Sequence, residues 1–153
     1  MEPDHIARNI IKENIYLTLG TADGVIPWVC PLFFAYDDSY NFYWVSPQNC
    51  RHSDNIRKNH QISWIIFDTH APKWTGMAVY LEGSAAELTD PEDIALGLKL
   101  IWTRLEEPVP SVSDYLGNQP YRVYKAIVDH AWINLDKTEN GKTIDARAEI
   151  KLA

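Results

Sequence analysis

Between Lys12 and Arg51 the chain holds no lysine or arginine, while Glu13, Asp23, Asp37 and Asp38 fall in that stretch. Over all 153 residues, 14 Lys and Arg face 21 Asp and Glu, a net charge of −7. That sign argues against nucleic-acid binding by charge, since a polyphosphate backbone is repelled by an acidic surface. Cysteine is scarce too: Cys30 and Cys50 form neither a Cys-x-x-Cys pair nor a disulfide framework, and a reduced compartment suits them. No Asn-x-Ser/Thr acceptor occurs. The longest apolar runs, such as Val29 to Tyr36, fall far short of the ~20 residues of a membrane helix. The opening Met-Glu-Pro-Asp-His lacks the basic and apolar stretches of a secretory signal. A cytoplasmic protein with no membrane partner and no nucleic-acid partner is therefore expected. His52, His60, His70 and His130 show no metal-ligand spacing, so no metal site is expected.

What is present is an ordinary globular balance, of a length that suits one domain over residues 1–153. The aromatics are less ordinary. Six Trp and eight Tyr exceed what one small core needs, and large flat side chains suit a dimer interface or a planar ligand.

Residues 4–13 place Ile6 and Ile10, and Ala7 and Ile11, four apart, which predicts a short amphipathic helix capped by Asp4. From Ile15 the period changes to that of strands. Ile15–Leu19 and Val25–Tyr36 flank an Asp23-Gly24 turn and form a hairpin, with Pro27 and Pro31 placing the second strand at an edge or bulge. Further strands are predicted at Phe42–Val45, Gln61–Asp68, Met77–Leu88 (with a bend at Gly83) and Tyr121–Leu135. Helices are predicted over 51–59, from Asp90 with Ile94, Leu98, Ile101 and Leu105 on one face, and briefly before Gly117. The polar tail from Asp136 adds a final short strand over Ile144–Leu152. Six or so strands joined mostly by hairpins predict a mainly β fold with flanking helices, an antiparallel barrel.

One segment breaks the acidic pattern. Arg51-His-Ser-Asp-Asn-Ile-Arg-Lys-Asn-His60 opens a predicted helix, where free N–H groups and a partial positive charge attract anions. Arg51 adds a planar fork that matches phosphate oxygens. The same residues also suit a plain exposed basic helix face with Asp54 and Lys58 at i, i+4.

The run Phe42-Tyr-Trp-Val-Ser46, three residues, then Cys50-Arg-His-Ser-Asp-Asn-Ile-Arg-Lys-Asn59 resembles the FMN-binding segment of the pyridoxamine 5′-phosphate oxidase-like superfamily. Thr18–Gly24 with Pro27–Pro31 resembles its opening hairpin, and Gly76–Ala85 its central strand; the resemblance spans about residues 5–135. It implies a split β-barrel, a homodimer with flavin at the interface, and an FMN-dependent oxidoreductase drawing on NAD(P)H or another small donor. It implies that Arg51 and His52 grip the FMN phosphate and that Val45 and Ser46 lie beside the phosphate and ribityl chain. Val29, Cys30 and Pro31 would line the pyrimidine edge, Lys73, Trp74 and Gly76 would touch the cofactor, and Trp132 would reach it from the partner subunit. The oxidases' own basic residues on the second strand, their central-strand Gln and their C-terminal Arg-Leu-x-Pro are missing: Val29–Phe34 holds no base, Ala78 replaces the Gln, and the chain ends Asp145-Ala-Arg-Ala-Glu-Ile-Lys-Leu-Ala153. Oxidation of pyridoxamine phosphate is thus not expected. The alternatives are a flavin-binding, redox-sensing module without turnover, a deazaflavin in place of FMN, or a haem-binding protein with His70 or His130 as axial ligand.

Overall fold

The computed structural model describes residues 2–153. Helix α1 (Pro3–Glu13) buries Ala7 and Ile11. Glu2 rather than Asp4 is its N-cap, because Pro3 takes the first helical position, where a missing N–H costs nothing. The Asp4 carboxylate instead accepts from the Lys151 N–H at 3.2 Å. Strands β1 (Tyr16–Ala22) and β2 (Pro27–Phe33) form the expected hairpin, with Thr18 opposite Pro31. Asp23 shapes the turn by accepting from the Val25 and Ile26 N–H groups, and Gly24 takes the positive φ the turn requires.

The long apolar stretch breaks at Phe34, whose N–H donates to the Ile15 carbonyl, leaving a two-residue β3 (Ala35–Tyr36). Strand β4 (Phe42–Pro47), α2 (Arg51–Lys58), β5 (Gln61–Phe67) and β6 (Ala78–Glu87) follow. Then come α3 (Pro91–Leu105), a 3-10 turn at Val112–Tyr115, β7 (Tyr121–Glu139) and β8 (Lys142–Glu149). No helix is long and apolar enough to cross a membrane among the described residues.

One antiparallel sheet runs β2-β1-β5-β6-β7-β4-β3 and does not close, since β2 and β3 end it on opposite sides; β8 pairs with β7 off this path. Its interior is filled by Trp44, Tyr124, Phe34, Phe42, Trp64 and aliphatic neighbours, with α1 packed across β5 and β6. A second cluster joins α3 to the outside of β3, β4 and β7 through Ile94, Leu98, Ile101, Ala35, Tyr43 and Val123. Leu105 is 36% exposed rather than buried, and Gly97 takes its place on the buried face, set against Val123 and Tyr43. Trp102 is half-buried in this cluster, edge-on to Tyr115.

At Gly83 the β6–β7 register shifts, and a side chain there would lie 1.9 Å from the Ile127 carbonyl oxygen. Only glycine allows that approach, and the bulge bends the long β7 so that its first half pairs with β4 and its second with β8. The polar tail is corrected here. It is a long hairpin, not a single short strand, turned by Asn140 and Gly141 at φ 51° and 75°.

Candidate functional site

The site is built where β4 hands over to α2. Ser46, 2% exposed at the end of β4, lies 2.7 Å from Nε2 of His52, itself buried in the first turn of α2. Burial pushes the His52 pKa down, which leaves the ring neutral near pH 7. Ser53 donates to the Pro47 carbonyl at 2.9 Å, and the Cys50 sulfur lies 3.0 Å from the same carbonyl. Asn55 ties α2 to β1 by donating to the Thr21 hydroxyl at 3.0 Å. These contacts hold the start of the helix rigid. Cys50, the N-cap, makes no side-chain cap bond, and first-turn amides have no intrahelical partner by their position.

Arg51 lies outside this buried cluster. Its exposed guanidinium sits 4.3 Å from the centre of the Trp28 ring on β2. Arg57, by contrast, is engaged with Asp54 and the Gln48 carbonyl. A groove of about 460 Å³ begins at Trp28 and runs over Gly20, Val29, Ser63 and Glu82. Those same four residues also line a groove of about 490 Å³ that continues past Thr18, Ile65 and Tyr80 to Trp132 and Arg147. The two form one trough on the outer face of β1, β2, β5 and β6, each within the ~300–1,000 Å³ of ordinary small-molecule sites. Gly20 keeps the floor flat: a Cβ there would press on Ser63 at 3.1 Å. At the far end Arg147 lies over the Tyr80 ring, 4.5 Å from its centre, and donates to the Tyr80 hydroxyl.

The expected site residues divide accordingly. Val29 borders the trough at 65% exposure, and Arg51 meets it only through the Trp28 ring at its end. Pro31 borders an adjoining recess with Thr18 and Ile65. Cys30 turns toward the core, and burial pushes its thiol up to about 11, far from a reactive thiolate. Val45 faces the α3 cluster, and Ser46 and His52 face each other. Trp132 lines the trough of its own chain. Gly76 lines a small recess with Tyr80 and Asn134, while Lys73 and Trp74 stand in the loop between β5 and β6, outside the trough.

Trp28, Tyr80, Glu82 and Arg147 are trough residues that motif reading passed over. Trp28 stands in the chain next to Val29 and was within reach. Arg147 was not, because only the β7–β8 hairpin brings it there. Of the candidate axial histidines, His130 donates from Nδ1 to the Glu149 carboxylate at 3.1 Å and stacks on Trp132, and His70 is exposed beside Asp68. No group of three or more metal-ligating side chains occurs among the described residues.

No protein-family model matches the sequence, and no curated protein matches it either. Solved structures do match in fold. HutZ, the heme storage protein of Vibrio cholerae, superposes with a TM-score of 0.71 at 16% identity, covering 84% of this chain and 92% of that one. An FAD-binding protein from Mesorhizobium loti gives 0.67 at 21% identity, covering 84% and 91%. A Listeria innocua protein provisionally described as pyridoxamine 5′-phosphate oxidase gives 0.63 at 17%, covering 85% and 96%. The fold is thus an antiparallel split β-barrel. The solved structures that share this fold include proteins described as a heme storage protein and as an FAD-binding protein.

Proposed function

We propose that the protein binds FMN in the trough and works as a flavin-dependent oxidoreductase. The observation that carries this reading is the junction of an α2 amino terminus without a side-chain cap and the exposed cation Arg51 over Trp28 with a trough walled by Trp28, Val29, Tyr80 and Trp132. Arg51 and the first-turn amides hold the phosphate, because helix starts and guanidinium forks both favour a doubly charged ester. Trp28, Val29 and Trp132 flank the planar ring. His52 and Ser46 are positioning residues: their mutual bond and burial keep the first turn of α2 in place. When bound, the flavin supplies the electron and hydride chemistry, and the protein supplies orientation and electrostatics. The electron donor is NAD(P)H or another small molecule, and the working form is a homodimer. With no base on Val29–Phe34 and Ala78 on the central strand, pyridoxamine phosphate is not the substrate.

The test is a titration of flavin-free protein with FMN, followed by absorbance and fluorescence. Arg51→Ala weakens binding by about 10- to 100-fold, the loss of one or two charge-assisted hydrogen bonds, and Arg51→Lys by less. A wild-type protein that takes up no FMN overturns the reading. Oxidation of NADH or NADPH by the loaded protein supports turnover, and bound FMN that no donor reduces identifies a redox-sensing module.

A haem reading has one observation in its favour. The His130 imidazole is held by Glu149 beside the far end of the trough, the carboxylate–histidine arrangement that orients a ligand nitrogen. Hemin that gives a sharp Soret band, lost in His130→Ala, supports it; FMN uptake without such a band excludes it.

A further inference from the structure

Strand register sets the shape of the trough floor. The row through Ile65, Tyr80 and Trp132 stands tall, while the next row, Val29, Gly20, Ser63 and Glu82, has almost no side chain at its centre. Neighbouring strands lie about 4.8 Å apart, so the gap from Gly20 to Glu82 is roughly 10 Å long, the length of an aromatic ring with a substituent. Glu82 closes that gap and lines both grooves of the trough. Among the described residues every ion pair joins other groups, and Glu82 has no cation. His130, next in the row, donates to Glu149 at 3.1 Å instead, and Arg147 is matched by Asp145 at 2.7 Å. The β6–β7 register shifts between Glu82 and Gly83, and a bulge of this kind re-aims the side chain beside it. The sheet thus holds a carboxylate without a counter-charge at the end of a ring-sized gap, in a chain whose net charge is already −7.

We infer that Glu82 receives the substrate, and that the substrate is a flat aromatic ring with an amidine-type edge: two adjacent N–H donors sharing a positive charge. A carboxylate accepts two parallel N–H bonds from such an edge, as it does from a guanidinium. The gap over Gly20 and Ser63 admits the ring, and the tall row beside it supplies apolar and aromatic contact that also favours a cation. An anionic substrate is repelled by the same carboxylate and by the acidic molecule. The flavin does not suit Glu82 either. The pyrimidine edge of an isoalloxazine presents a single N–H between two carbonyls, and a carboxylate repels both of those oxygens. Naming the ligand a substrate rests on the function proposed above; the amidine site itself does not.

Isothermal titration of benzamidine into flavin-free and FMN-loaded protein tests this, with benzamide as the neutral control. Wild type binds benzamidine at least about tenfold more tightly than benzamide in both forms, as a charge-assisted pair requires. Glu82→Gln abolishes that preference, because a carboxamide offers one donor and one acceptor where the carboxylate offers two acceptors. Ser63→Leu keeps the carboxylate but fills the gap, and weakens benzamidine by a similar factor. Both positions are exposed, so the circular dichroism and unfolding midpoints of the two variants stay those of wild type. Benzamidine that binds wild type no better than benzamide does, or that binds Glu82→Gln as tightly as wild type, overturns the inference. So does FMN that displaces benzamidine, since one place then serves both. Benzamidine uptake that depends on Glu82, in a protein that takes up no FMN, sinks the flavin reading alone and leaves the amidine site standing.

Discussion

Arg51 and His52 are neighbours in the chain, yet one guanidinium lies in water over the Trp28 ring while one imidazole lies buried against Ser46. The helix rotates successive residues by about 100°, which is enough to separate an anion-facing cation from a neutral packing group. The burial of His52 has a pH signature. Its folded pKa lies below the ordinary 6.5 because burial penalises the charged ring. The unfolded chain then binds more protons than the folded one below that value, so stability is full above about pH 6.5 and declines as pH falls through the window beneath it. Urea unfolding between pH 8 and pH 5 is expected to show this decline, and His52→Gln to flatten it. A wild-type profile level across that range contradicts the neutral buried ring. Asp37 does not interfere: although burial opposes it, hydrogen bonds from Asn41, Tyr43 and Ser39 hold its carboxyl below 3.8, and its contribution is lost only at still lower pH.

At the scale of elements, the joint between α1, the β2–β3 break and α3 depends on Arg104. Its guanidinium donates to the carbonyls of Phe34, Ile11, Lys12 and Asn14 at 2.7–3.2 Å, and lies 4.4 Å from the centre of the Phe34 ring. A helix C-terminus leaves its last carbonyls without partners, and here one side chain from α3 serves three of them together with the strand break. Arg104→Ala is expected to cost about 2–4 kcal/mol, since several carbonyls lose a charged donor and an aromatic ring loses its cover. Arg104→Lys recovers only part, because an ammonium cannot reproduce the fork. Denaturant midpoints at unchanged slope measure both; a loss below about 0.5 kcal/mol would place the arginine among ordinary surface side chains.

On the scale of the whole molecule, cofactor binding and folding are one linked equilibrium. A ligand bound only by the folded state at 100 times its dissociation constant adds about 2.7 kcal/mol, or roughly 5–10 °C in Tm for a chain of this size. Thermal unfolding with added FMN is expected to show a midpoint that climbs with the logarithm of FMN concentration, and Arg51→Ala to show little rise at the same concentrations. A wild-type midpoint indifferent to FMN speaks against the trough as a flavin site.

Strand alternation, the Asp23-Gly24 and Asp90-Pro91 signals and the edge prolines Pro27 and Pro31 were legible along the chain, because each expresses a local steric or hydrogen-bonding rule. An antiparallel barrel followed from them, the α2 start and Arg51 from the isolated basic run after β4, and the split form of the barrel from the family resemblance. The β7–β8 hairpin was not legible as such: both strands are largely exposed there, so no hydrophobic period marks them, and only Asn140-Gly141 signals the turn. Which way Cys30, Val45 and His52 face, and the meeting of Trp28, Tyr80, Trp132 and Arg147 in one trough, were decided by the sheet's order and by the bulge at Gly83. Those are long-range pairings, and nothing local in the chain encodes them.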